Sequence, residues 1–132
     1  MTDLDTLEAS GILKCDTPWG KEFIILGGNG ATETVKVIWV NPGQRLTLQS
    51  HEWRLEQWTI LSSNGGTVNI ETPSGAMLDY AAQQGAVHRV PKNIRHRLAA
   101  PLTHPLVVLE VAFGLFDQND ITRYEDNDGR AG

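Results

Sequence analysis

Ten consecutive residues, Gln49-Ser50-His51-Glu52-Trp53-Arg54-Leu55-Glu56-Gln57-Trp58, put amide, imidazole, carboxylate, guanidinium and indole groups where a small β protein would carry plain strand residues. A second concentration runs from Lys92 to Arg97, with three positive charges beside His96. Imidazoles and carboxylates bind divalent metals and move protons, and a guanidinium matches phosphate in two-point geometry. Glu110 stands alone in Leu106-Val107-Val108-Leu109-Glu110-Val111-Ala112-Phe113, a run apolar on both faces. A carboxylate buried there must be paired or protonated, and burial raises its pKa toward the range useful to a base. Its structural alternative is an ion pair with Arg97 or Arg123.

The elements that must hold these groups read as short strands. Lys21 to Leu26 ends in Gly27-Gly28-Asn29-Gly30, a glycine cluster suited to a tight reversal. Thr34 to Val40 is β-branched on both faces and is followed by the turn Asn41-Pro42-Gly43. Arg45 to Ser50 and Glu56 to Leu61 flank the opening stretch. Thr67 to Glu71, Ala76 to Tyr80, Ala86 to Val90, His96 to Ala100 and Leu106 to Phe113 follow, separated by Gly- and Pro-containing turns. About nine strands without a convincing amphipathic helix predict an all-β fold, a single-domain jelly roll whose paired sheets form a cup. Residues 1–17 read as an N-terminal arm, 18–116 as the β domain and 117–132 as an acidic tail packed on it. Period-two alternation through 49–57 turns Gln49, His51, Trp53 and Gln57 into the cup and Arg54, Glu56 and Trp58 away from it, unless a bulge intervenes.

The chain has 132 residues, 40% hydrophobic and 20% charged, which fits one globular domain. A net charge of −5 argues against non-specific nucleic-acid binding. No apolar run approaches the roughly 20 residues of a membrane span. The first ten residues carry Asp3, Asp5 and Glu8 and no apolar core of a secretory signal. Cys15 is the single cysteine, so no internal disulfide forms, and a cytoplasmic location is expected. No glycine-rich phosphate loop precedes a helix. Asp117 to Asp128 lacks the glycine and alternation of a calcium loop.

Two sets of residues then carry a resemblance. Gly85, Pro91, Asn93 and His96 resemble the second motif of the cupin superfamily, with Asn93 where that motif has glycine. Asparagine tolerates the left-handed conformation such a turn requires. Pro42, Gly43, Leu46, Leu48, Gln49, His51, Arg54, Glu56 and Trp58 resemble the motif of the C-terminal cupin domain of type II mannose-6-phosphate isomerase/mannose-1-phosphate guanylyltransferase. Pro18-Trp19-Gly20, His96-Arg97-Leu98, Pro105-Leu106, Glu110-Val111, Asp120-Ile121-x-Arg123 and Gly129-Arg130 continue it, so the similarity spans roughly residues 17–130. Trp53 and Gln57 stand where that family has histidines.

The resemblance implies a cupin that acts on or binds a sugar phosphate of the mannose 6-phosphate/fructose 6-phosphate class, without guanylyltransferase chemistry from this chain. His51 and His96 are the expected metal ligands. With only Gln49 and Gln57 beside them, a zinc-like divalent metal is expected to be absent or weakly bound. Glu110, with Glu56 as alternative, is the expected proton-moving group, and Arg54 is placed with it. Gln49, Trp53, Gln57, Arg97 and Lys92 are expected to contact the ligand. The alternative is a non-catalytic, degenerate cupin that binds a sugar-like ligand or a nucleotidyltransferase partner. A homodimer covering exposed sheet edges is expected.

Overall fold

The computed structural model describes residues 4–125. The part of the expected acidic tail from 126 to 132 lies outside them. Among the described residues are one short helix, α1 (Leu4–Ala9), and eleven strands: β1 (Leu13–Thr17), β2 (Gly20–Leu26), β3 (Glu33–Val40), β4 (Leu48–Ser50), β5 (Arg54–Ser62), β6 (Thr67–Glu71), β7 (Met77–Ala81), β8 (Val87–Val90), β9 (His96–Ala99), β10 (Leu106–Gly114) and β11 (Thr122–Glu125). They form two antiparallel sheets, β1-β2-β3-β10-β5-β8 and β11-β4-β9-β6-β7, as a jelly roll requires. The first and last strands of the described residues are built into them. β1 pairs along its length with β2, so residues 13–17 of the expected arm are a sheet strand. β11 pairs with β4. Among the described residues, no helix is long and apolar enough to cross a membrane.

The core is polarised, and strand register explains why. Val108 on β10 stands between Ile38 of β3 and Ile60 of β5. Two residues on, Glu110 stands between Lys36 and Trp58, and two further Ala112 stands between Thr34 and Glu56. The inward faces of three adjacent strands thus change from aliphatic to polar at the same level. The aliphatic half, with Leu46, Val68, Leu98 and Leu106 from both sheets, is sealed and buried. Each such side chain contributes about 1.5–3 kcal/mol of transfer free energy, which is what holds the polar half in place. On the outer face of the six-stranded sheet, Leu4 and Ile12 cover a second cluster of Phe23, Val37, Trp39 and Val107. Trp19, Trp39 and Trp58 are all buried in these cores.

Candidate functional site

β5 turns Arg54, Glu56, Trp58 and Ile60 inward, all buried, and Leu55, Gln57 and Thr59 outward. This reverses the expected parity. The cause is local: β4 ends at Ser50, residues 51–53 leave the ladder, and β5 starts afresh at Arg54. Alternation cannot be carried across a break in a strand. The break is held by Asp120, whose carboxylate accepts the backbone N–H groups of Glu52 and Trp53, both at 2.9 Å. Upstream, Arg45 bridges Ala99 while Gln49 pairs with His96, so four steps on one strand face three on the other. That extra residue is a bulge, and it leaves Leu46 and Gln49 on the same face.

Three side chains converge at the base of the cup. His51 Nδ1–H donates to the Asp120 carbonyl at 2.7 Å, and His96 Nδ1–H donates to the Ile94 carbonyl at 2.9 Å. Both Nε2 lone pairs are thereby aimed inward. They meet the Glu56 carboxylate, with His51 Nε2 3.5 Å from Oε2 and His96 Nε2 3.5 Å from Oε1. One ligand atom from each residue lies within 4.8 Å of the others. His96 Nε2 and Glu56 Oε1 have no hydrogen-bond partner among the described residues. Burial, then the neighbouring His96 and Arg54, push the His51 pKa down to about 3, so its lone pair is retained at neutral pH. One ligand atom from each of the three converges at the base of the cup to form a cradle for a cation, and two imidazoles with one carboxylate is a set that zinc and non-haem iron use. The expected set of two imidazoles and two amides is corrected: Glu56 supplies a third ligand atom, and Gln57 lies on the outer face.

Charged groups surround the cradle. The Arg54 guanidinium donates from Nε to Glu56 Oε2 at 3.1 Å, lies 3.3 Å from His51 Nε2, and stacks on Phe116 at 4.1 Å. Glu110 pairs with Lys36 at 3.4 Å, and its Oε1 accepts the Trp58 indole N–H at 3.1 Å. Its ion-pair partner is thus a lysine of the neighbouring strand in place of the expected arginine. Burial, then the Glu56 charge, raise the Glu110 pKa against the pull of Lys36. Burial alone would lower Lys36, but Glu110 and Glu22 outweigh it and hold the ammonium above its usual pKa. Trp58 closes the floor, edge-on to His96 at 5.3 Å.

Above this floor opens a cavity of about 330 Å³ whose wall includes Lys36, Gln49, His51, Arg54, Phe116 and Arg123. Gln49, His51 and Arg54 line it, Arg54 from the face that strand parity alone turns outward, with Glu56, His96 and Glu110 beneath. The other expected ligand contacts lie elsewhere. Trp53 is 46% exposed and lines a separate pocket with Tyr124. Lys92 is exposed on a turn, and neither it nor Arg97 lines the cavity. That turn instead supports the histidine loop, where Asn93, at φ 62°, donates its N–H to the His51 carbonyl at 2.7 Å. Lys36, Asp120 and Arg123 were not singled out as site residues from the sequence. For Lys36 a signal existed, since it shares parity with Ile38 and Val40. The two-faced apolar character of β3 concealed which parity was inward.

A family profile described as "Mannose-6-phosphate isomerase C-terminal" matches residues 8–126. The chain is 36% identical over 124 residues to the xanthan biosynthesis protein XanB of Xanthomonas campestris pv. campestris, covering 93% of this chain and 25% of that protein. It is 36% identical over 115 residues to the alginate biosynthesis protein AlgA of Pseudomonas aeruginosa, covering 86% and 22%. It thus spans about a quarter of the length of these curated relatives. Oxalate decarboxylase of Bacillus subtilis shares the fold, with a TM-score of 0.72 at 15% identity over 86% of this chain and 30% of that one. Sequence profile, relatives and fold agree with one another: the chain belongs to the mannose-6-phosphate isomerase C-terminal family of cupins.

Proposed function

We propose that this domain binds a hexose 6-phosphate in its cup and interconverts the mannose and fructose forms, in the service of polysaccharide synthesis. The observation that carries the reading is the convergence of His51, Glu56 and His96 beneath a cavity lined by cations. These three residues would hold a divalent metal, which when bound supplies a Lewis acid for the carbonyl oxygen of the sugar. Lys36 faces the cavity as a permanent cation and stabilises negative charge developing on the substrate. Glu110 lies behind Lys36 and positions it. Glu22 shares the cavity wall, 3.1 Å from the Lys36 ammonium, and is the carboxylate placed to take and return a proton. Purified protein, stripped and reloaded with zinc, cobalt or manganese, should turn over mannose 6-phosphate in a coupled assay. A folded, metal-loaded sample inactive with every ion would sink the isomerase reading.

A second reading draws on Arg54. Its guanidinium already contacts His51 and Glu56, two of the three cradle residues. In that reading the arginine serves as the resident cation and the domain binds a sugar phosphate without turning it over. Cobalt titration separates the two. Tight, stoichiometric binding with a d–d absorption band supports the metal reading, and no band supports the arginine-closed cup.

A further inference from the structure

The cations on the cavity wall are not equivalent. Lys36 is neutralised by Glu22 and Glu110, and Arg54 by Glu56. Asp16, also on the wall, is paired with Lys21 at 3.2 Å. Arg123 has no carboxylate partner among the described residues, and its Nε is buried without an acceptor. A second group on the same wall shares this state: Thr17 Oγ1 is buried and unpaired in the same cavity. Buried donors left unmade are rare and costly in a finished fold. Two of them on one cavity suit an acceptor brought by a guest.

Register fixes where that guest lies. Arg123 on β11 stands opposite Gln49 on β4, and Gln49 stands opposite His96 on β9. The three share one cross-strand row, so the Arg123 and His96 backbones are two strand spacings, roughly 10 Å, apart. Gln49 lies between them. Its Oε1 already accepts from Thr47 at 2.9 Å, which leaves its NH₂ as the donor for a guest.

We infer that Arg123, with Gln49 and Thr17, forms an anion subsite that takes the phosphate of a phosphomonoester, while the other end of the molecule lies over His51, Glu56 and His96. A guanidinium binds phosphate by parallel hydrogen bonds that a point charge cannot reproduce. The span of two strands suits a six-carbon chain with a terminal phosphate. This deepens the isomerase reading and rests on it only for the far end of the ligand.

The test uses metal-stripped, full-length chain and inorganic phosphate as probe, at constant ionic strength in chloride, read by calorimetry and by phosphate-dependent thermal stabilisation. Wild type should bind phosphate. Arg123→Gln should weaken binding by about tenfold or more, the loss expected for a hydrogen bond to a charged group. Arg123→Lys should recover only part of it. Arg89→Gln, on an exposed strand outside the cup, should leave it unchanged. Thr17→Val reads the same subsite without altering β11, and should weaken phosphate several-fold even if the Arg123 variants fold poorly. Wild type indifferent to phosphate, or wild-type affinity in both Thr17→Val and Arg123→Gln, overturns the inference. So does loss of binding in Arg97→Gln with Arg123→Gln unaffected. Phosphate bound by the subsite with no turnover under any metal would overturn the isomerase reading alone.

Discussion

At the scale of single residues, the site is a balance of buried charges. Glu56 is 2% exposed and answers Arg54, His51 and His96 together. Glu56→Gln should destabilise the fold by about 3–5 kcal/mol in urea denaturation, because it strands the Arg54 charge in the interior. It should also abolish cobalt absorption. Lys36→Met or Glu110→Gln alone should be similarly costly, while the double change should cost less than the sum, since the charge it leaves unpaired is that of Glu22, which is partly exposed to solvent. The His51 imidazole sets a pH dependence. In the stripped protein it stays neutral down to about pH 3, while in the unfolded chain it protonates near 6.5. Below that value the unfolded state holds the extra proton. The stabilisation is therefore complete above pH 6.5 and falls as pH drops toward 3, by up to about 1.4 kcal/mol per pH unit. Glu110, raised in the fold, acts with the opposite sign, and comparison with His51→Asn cancels it. The variant should lose that part of the slope in denaturation curves taken from pH 7 to pH 5. Glu22→Gln should lower turnover by about 10²–10⁴-fold with cobalt binding retained, as expected for a general base.

At the scale of elements, the decisive feature is the break between β4 and β5. It lets His51 and Glu56, five positions apart, face the same point. Asp120 holds it from the chain's distal segment, both through its carboxylate and through the carbonyl that orients His51. Asp120→Ala should cost about 1.5–3 kcal/mol and loosen metal affinity about 10–100-fold, measured by denaturation and cobalt titration. Gly114 closes the same turn from β10. It adopts φ 114°, and a Cβ there would lie 2.3 Å from the Trp53 carbonyl. Gly114→Ala should therefore disturb the turn as well as the end of β10, seen as a lower midpoint and a weaker cobalt band. The loop after β2 supports the opposite wall, with Gly30 N–H donating to the Phe116 carbonyl and Phe116 N–H to that of Ala31.

At the scale of the whole molecule, one sheet supplies Glu22, Lys36, Arg54, Glu56 and Glu110 and the other supplies His96, Gln49 and Arg123, so the site exists only when both sheets close. Trp58 spans the joint, tied to Glu110 and packed against His96, and its fluorescence should report metal loading. Trp53→Ala should leave that signal and stability nearly unchanged, because its indole lies on the outside. Apart from the terminal strands β1 and β11, the sequence alone determined the strand pattern from β2 to β10, the jelly roll, the buried Glu110 and the two histidines. These follow from alternation, turn chemistry and motif spacing, all local or collinear properties. It did not determine which residues meet. The inward face of β5 depended on a break that Asp120 stabilises from 68 and 67 positions away in the chain. The Lys36 partnership with Glu110 depended on the register of β3 against β10, and the arrival of Arg123 at the cup depended on β11 finding β4. Such pairings are chosen by the closing of the two sheets on a shared core, and no local stretch of sequence carries them.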